Sequence, residues 1–181
     1  MKEQRRTYPL FSLCGLNCGL CPMYHISETN HCTGCGGKGR PSCKIIRCSE
    51  QHGNIEYCYL CEEYPCERYT DAFPTDSFIS YRNVLRDFER AKNEGLEHYQ
   101  AVLNKKVEVL RFLLKHYNDG RRKSFFCLAV NLLELEDIQI VVEQIAKKIK
   151  PDDTIKEQAA LAVRLFKEMA EKQNIDLKLK K

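Results

Sequence analysis

Apolar residues fall into helical register only after Pro74. Phe78, Tyr81, Leu85, Phe88 and Ala91 recur at spacings of three and four, predicting a helix that Gly95 stops. Leu96, Tyr99, Leu103, Val107, Leu110, Leu114 and Tyr117 line a second, ended by Asn118-Asp119-Gly120. Ser124 is placed to cap a third, 125–133, apolar on every side and so expected in the interior. Ile138, Val141, Val142, Ile145 and Ile149 mark a fourth, closed by Pro151. Thr154 and Glu157 read as a capping box for a fifth, with Ile155, Ala159, Ala162, Phe166 and Met169 inward. The tail 174–181 ends in Lys-rich sequence and is expected to be loose. No repeat shows, and no strand–helix alternation signals a nucleotide-binding α/β fold.

Before Pro74 the grammar differs. Seven of the nine glycines and ten of the eleven cysteines lie there, and few segments offer an extended apolar face. Such a stretch folds when metal replaces the missing core. The expected architecture is a small metal-stabilised Cys-rich module over 1–74 and an all-α helical bundle over 75–173, mainly α overall. Residues 174–181 follow as the loose basic tail.

The cysteines are spaced Cys14-x3-Cys18-x2-Cys21, Cys32-x2-Cys35, Cys43-x4-Cys48, Cys58-x2-Cys61 and then Cys66. Two intervening residues let one turn aim both sulfurs at one ion, and tetrahedral zinc takes two such pairs. All ten are candidate ligands, for two or more zinc ions. The simplest partition is sequential: Cys14, Cys18, Cys21, Cys32 and Cys35 for one site, and Cys43, Cys48, Cys58, Cys61 and Cys66 for the other. A bridged two-zinc cluster beside a four-thiolate ion fits the count equally. His25, His31 and His52 are further candidates, though an ordinary exposed or supporting role is the commoner one for each. His98 and His116 belong to helix stripes, and Cys127 reads as a small buried hydrophobe.

Compartment decides whether the thiols are free for metal. No apolar run reaches the length of a spanning helix. Tyr8–Tyr24 follows Arg5-Arg6 as a signal peptide would, but Pro9 and Asn17 interrupt it and no small-residue cleavage site follows. Leu13 is too large for lipoprotein processing at Cys14. The reading is cytoplasmic, without membrane attachment, and a disulfide scaffold is the minor alternative. Net charge is +4, and all of that excess lies after residue 75, where 21 Lys/Arg face 17 Asp/Glu. A thiolate-zinc module would thus be acidic, which disfavours nucleic acid as partner. The densest basic cluster, Arg121-Arg122-Lys123, reads as a solvated turn more readily than as an anion site.

Iron–sulfur chemistry is the main rival, since clusters held by four cysteines also use C-x2-C turns and Cys21-Pro22 echoes the ferredoxin Cys-Pro. Cys14-x3-Cys18-x2-Cys21 also matches the cluster motif of radical S-adenosylmethionine enzymes, but the barrel those enzymes need calls for strands that this pattern lacks. No P-loop, zincin or serine-elbow motif is present. Cys14 is the best candidate for a reactive spare thiolate, and a ligand role suits it better. The enzyme reading is weak.

The words Cys14-Gly15-Leu16-Asn17-Cys18-Gly19-Leu20-Cys21-Pro22, Cys32-Thr33-Gly34-Cys35-Gly36-Gly37 and Cys58-Tyr59-Leu60-Cys61-Glu62-Glu63-Tyr64-Pro65-Cys66 carry a family likeness. Over residues 12 to 95 the chain resembles small Cys-rich bacterial and archaeal proteins catalogued as a domain of unknown function. The resemblance implies a metal-binding role and no defined activity. The expected function is a zinc-binding adaptor with a protein partner, for which Tyr24, Tyr57, Tyr59, Tyr64 and Tyr69 are candidate anchors or covers of the metal sites. A thiol or iron–sulfur redox protein is second, and a nucleic-acid binder third.

Overall fold

The computed structural model describes residues 6–37, 43–70 and 75–180. Helices α1 (Lys44–Gln51) and α2 (Glu67–Thr70) belong to the Cys-rich part. They are followed by α3 (Val84–Asn93), α4 (Leu96–His116), α5 (Lys123–Leu132), α6 (Leu135–Lys148) and α7 (Ile155–Lys172). No strand occurs among the described residues. The chain is mainly helical, as the period of its C-terminal half predicts. The boundary expected at Pro74 lies outside the described residues.

The central helix is α4, which packs against α3, α5 and α6, while α6 and α7 form a pair. Tyr99, Leu103, Val107 and Leu110 of its stripe are all buried, and Leu113 takes the inner position that the spacing assigns to Leu114. Thr154 caps α7 as predicted: its hydroxyl accepts from the Glu157 N–H, and the Glu157 carboxylate accepts from the Thr154 N–H at 2.8 Å. Thr154→Ala should therefore cost about 1 kcal/mol, read as a lowered denaturation midpoint with unchanged slope. Ser124 does not cap α5, whose N-cap is Arg122.

Three expectations need correction. The first helix begins at Val84, not Phe78, and buries Val84, Asp87, Phe88 and Ala91; Phe78 and Leu85 face solvent. Ile155, expected inward, is exposed, because at the first position of α7 its side chain precedes the packed stripe. The tail is not loose. Arg82 donates to the carbonyls of Asp176 (2.6 Å) and Lys178 (2.7 Å), the Asp76 N–H donates to the Lys180 carbonyl and the Lys180 N–H to the Asp76 carboxylate, both at 2.9 Å, and Ile175 and Leu177 pack on the core.

The front third also holds more oil than its sequence suggests, because it borrows a core. Phe11, Leu20, Tyr57 and Tyr69 join Phe88, Tyr99, Leu103 and Val107 in one apolar cluster that runs through both halves. The Cys18–Leu20 3-10 turn sits directly on α4 and α5. Gly15 marks the tightest approach. Its φ is +87°, and a Cβ there would stand 2.8 Å from Val84 Cγ1 and 2.9 Å from Phe88 Cζ. Gly15→Ala adds left-handed strain to a clash with a buried ring, so it should cost about 2–3 kcal/mol in a denaturant titration.

Candidate metal centre

Five residues, Pro9 to Leu13, form the spine of the Cys-rich part. The Pro9 carbonyl accepts from Cys35 N–H at 3.1 Å, Leu10 from Gly19 at 2.9 Å and Leu13 from Cys58 at 2.9 Å. Each C-x2-C pair is thereby bonded to the same short segment. Gly34 permits the first of these contacts, since a Cβ on it would stand 2.5 Å from the Pro9 carbonyl oxygen.

Two of the pairs adopt one local structure. Cys18–Leu20 and Cys58–Leu60 are both single 3-10 turns. In each, the second Cys N–H donates to the first Cys carbonyl, at 3.1 and 3.0 Å. Tyr24 and Tyr64 then donate to the carbonyls of Cys21 and Cys61, at 2.9 and 3.1 Å. A local repeat therefore exists where the sequence suggested none. It escapes notice because the shared pattern is backbone bonding, with only Cys, Leu and Tyr in common.

Electrostatic influence among the thiols crosses the sequential partition. Burial pushes Cys14 and Cys35 up from the ordinary thiol value; repulsion from Cys43 adds to both, and from Cys14 to Cys35. Burial likewise pushes Cys58 up to about 12, with added repulsion from Cys14, Cys48 and Cys66. Cys58 is thus linked electrostatically to Cys14 of the first sequential group and to Cys48 and Cys66 of the second. Cys48, Cys58 and Cys66 surround a cavity of about 20 Å³, lined also by Cys61 and His52, with room for one water-sized occupant. Cys18 packs beside Cys35 in a small apolar cluster with Leu13 and Ile46. Cys21 turns away and lies near Cys127 of α5, which is fully buried as expected. Cys32 is fixed by its N–H to the Met23 carbonyl.

Among the described residues, no three His, Cys, Asp or Glu side chains stand close enough together to hold a metal ion. Two sulfurs on one tetrahedral zinc lie about 3.8 Å apart, given Zn–S bonds of about 2.3 Å. The donor chemistry suits zinc; the described spacing is wider than a closed coordination shell.

Each candidate histidine has one ring nitrogen on a backbone carbonyl. His25 Nε2 is 2.8 Å from Gly19 O, His31 Nδ1 is 3.0 Å from Cys32 O, and His52 Nδ1 is 2.8 Å from Cys48 O. For His25 and His31 that contact fixes the tautomer and leaves the other nitrogen as an acceptor, whereas the second nitrogen of His52 faces the Glu63 carboxylate and donates to it. His52 Nδ1 is also 3.7 Å from Cys48 Sγ, and its Nε2 is 3.3 Å from Glu63. The five module tyrosines do not form an open face. Tyr57 and Tyr69 are buried, and Tyr59 and Tyr64 lay their rings on Phe88 at 5.2 and 5.6 Å. Tyr24 stands edge-on to His25 and His31. At the basic cluster, Asn118 Oδ1 accepts from Gly120 and Arg122 N–H, and Asp119 Oδ1 from Arg121 N–H. The amides of Gly120, Arg121 and Arg122 are thereby occupied.

A buried polar network joins the loop between Cys14 and Cys18 to the bundle, and sequence reasoning missed it. Asn17 donates to Asp87 at 2.8 Å and to Asn131 at 3.2 Å, and accepts from Tyr99 at 2.9 Å. Lys106, also buried, donates to the Leu133 carbonyl at 2.6 Å. Burial raises the Asp87 carboxyl and lowers the Lys106 ammonium, and each offsets part of the other's shift. The signal was present: Asp87 lies three residues after Val84, and Lys106 three after Leu103, on apolar stripes.

No curated protein and no solved structure matches the chain. No helix among the described residues is long and apolar enough to cross a membrane. The family likeness ends at α2, short of the residue 95 that the motifs suggested. Residues 10–71, which hold all ten clustered cysteines, match the model of a family described as a protein of unknown function (DUF3795), as the resemblance implied.

Proposed function

We propose that residues 10–71 are a zinc-binding module carrying at least two structural ions, and that the ions fix a loop surface for a protein partner in a reducing, cytoplasmic compartment. The observation that carries this reading is the attachment of all three C-x2-C turns to one five-residue spine. Thiolates carried by turns on a common frame can be drawn into tetrahedral shells by movement of the loops between them, and all-thiolate shells are closed, structural ones. Cys14, Cys35 and Cys43 supply one site, Cys48, Cys61 and Cys66 the other, and Cys58 completes whichever shell it joins. A spare cysteine from the front group or His52 would then fill the remaining position.

The surface for a partner is supported by Ile26 and Leu60, exposed large apolar residues within the module. Leu60 lies between Cys58 and Cys61, so a closed shell would hold it rigid. Elemental analysis of protein purified without oxygen tests the metal assignment. At least two zinc per colourless chain is expected. Iron with acid-labile sulfide in a brown protein would replace the reading by the redox one.

A further inference from the structure

A cavity of about 170 Å³ opens beside the buried network, walled by Asp87, Tyr99 and Lys106 inside and by Arg90, Glu94 and Glu136 nearer its mouth. It is separate from the thiol groups and touches the module only through Asn17. The Lys106 ammonium has three N–H donors, and the Leu133 carbonyl takes one of them. No carboxylate among the described residues lies within ion-pair distance of it, so this buried cation faces the cavity with donors to spare. Asp87 is the opposing charge that acts most strongly on Lys106, and it lines the same cavity. Its carboxylate accepts from Asn17 and retains capacity for further donors. Glu134 is already committed, bonded to Arg90 at 2.6 Å and paired with Arg86 at 3.1 Å.

The interior thus offers one cationic donor and one anionic acceptor, neither paired directly with the other. A multiply charged anion would meet Asp87, Glu94 and Glu136, which outnumber the uncommitted cation. A simple cation would leave the two remaining Lys106 donors without an acceptor. A molecule with a carboxylate and an ammonium group borne by one carbon answers both groups at once. A cavity of about 150 Å³ accepts benzene, so this one suits about six to eight non-hydrogen atoms.

We propose that the cavity binds a small zwitterion, a free α-amino acid of the size of alanine or serine, with its carboxylate on Lys106 and its ammonium group on Asp87. Val102, Leu103 and Leu135 form the apolar part of the wall, which suits a short, uncharged side chain.

Calorimetric titration of the full chain with L-alanine, ethylamine and propionate tests this. Alanine should bind saturably, and each single-ended analogue at least tenfold more weakly. Lys106→Met should abolish alanine binding and also lower the melting temperature, because it leaves Asp87 buried without its opposing charge and the Leu133 carbonyl without its donor, so a variant of the apolar wall is the cleaner test. Val102→Phe, at a half-buried wall position away from the polar network, should also abolish it by filling the space. Absence of saturable alanine binding at millimolar concentration overturns the proposal. Equal affinity for ethylamine or propionate overturns it too, as does alanine binding that survives both substitutions.

Discussion

Phe88→Ala should destabilise the whole chain by about 3–5 kcal/mol, the cost of emptying a fully buried aromatic site. Phe88 is entirely buried, and its ring meets those of Phe11, Tyr59, Tyr64 and Tyr69 at centroid distances of 5.7, 5.2, 5.6 and 6.1 Å. All four belong to the Cys-rich part, whereas Phe88 belongs to α3. One helical side chain therefore supplies much of the apolar surface on which the module is built. Since domains are stable by roughly 5–15 kcal/mol, the variant should stand near the edge of folding, with a melting temperature lower by about 10 °C or more. Phe112→Ala is the control. Phe112 is largely exposed on α4, and its loss should stay within about 0.5 kcal/mol. Similar midpoints for the two variants would show that the module does not depend on the bundle.

Cys58→Ser should lower the metal content by at least one ion per chain. Cys58 is the thiol linked electrostatically to both sequential groups, to Cys14 and to Cys48 and Cys66. Serine keeps its size and its N–H bond to the Leu13 carbonyl, but a hydroxyl is a harder and far more basic ligand that zinc does not deprotonate as it does a thiol. Cys127→Ser, in the interior of α5, should leave the metal count unchanged. Elemental analysis of both variants beside the parent protein reads the difference. An unaltered count for Cys58→Ser would remove it from the ligand set and return the partition to one in which Cys58 is the spare.

What the sequence discloses and conceals follows from the range of each interaction. The α4 stripe at Tyr99, Leu103, Val107 and Leu110 and the Thr154 cap are local and legible from spacing alone. The start of α3 is misplaced because counting apolar residues credits Leu85 and passes over Asp87, whose burial depends on Asn17, seventy positions away. The tail is misread for the same reason: Arg82 and Asp76 hold it from far along the chain. Helix α1 goes unforeseen, since Lys44–Gln51 is short and its apolar residues are only Ile45, Ile46 and Cys48. The cysteine inventory is fully legible. Their grouping is not, because the spine that collects them works through backbone carbonyls, which leave no mark on side-chain identity.

Residue-resolved amide hydrogen exchange on the reduced protein, before and after complete removal of metal with a strong chelator, addresses the role of the ions directly. The N–H groups of Gly19, Cys35 and Cys58, which bind the C-x2-C turns to the spine, should lose protection together once the ions are gone, while α6 and α7 keep theirs. Undiminished protection at those three amides in fully metal-free chain would mean that the borrowed apolar core suffices and that zinc is no part of the module's framework.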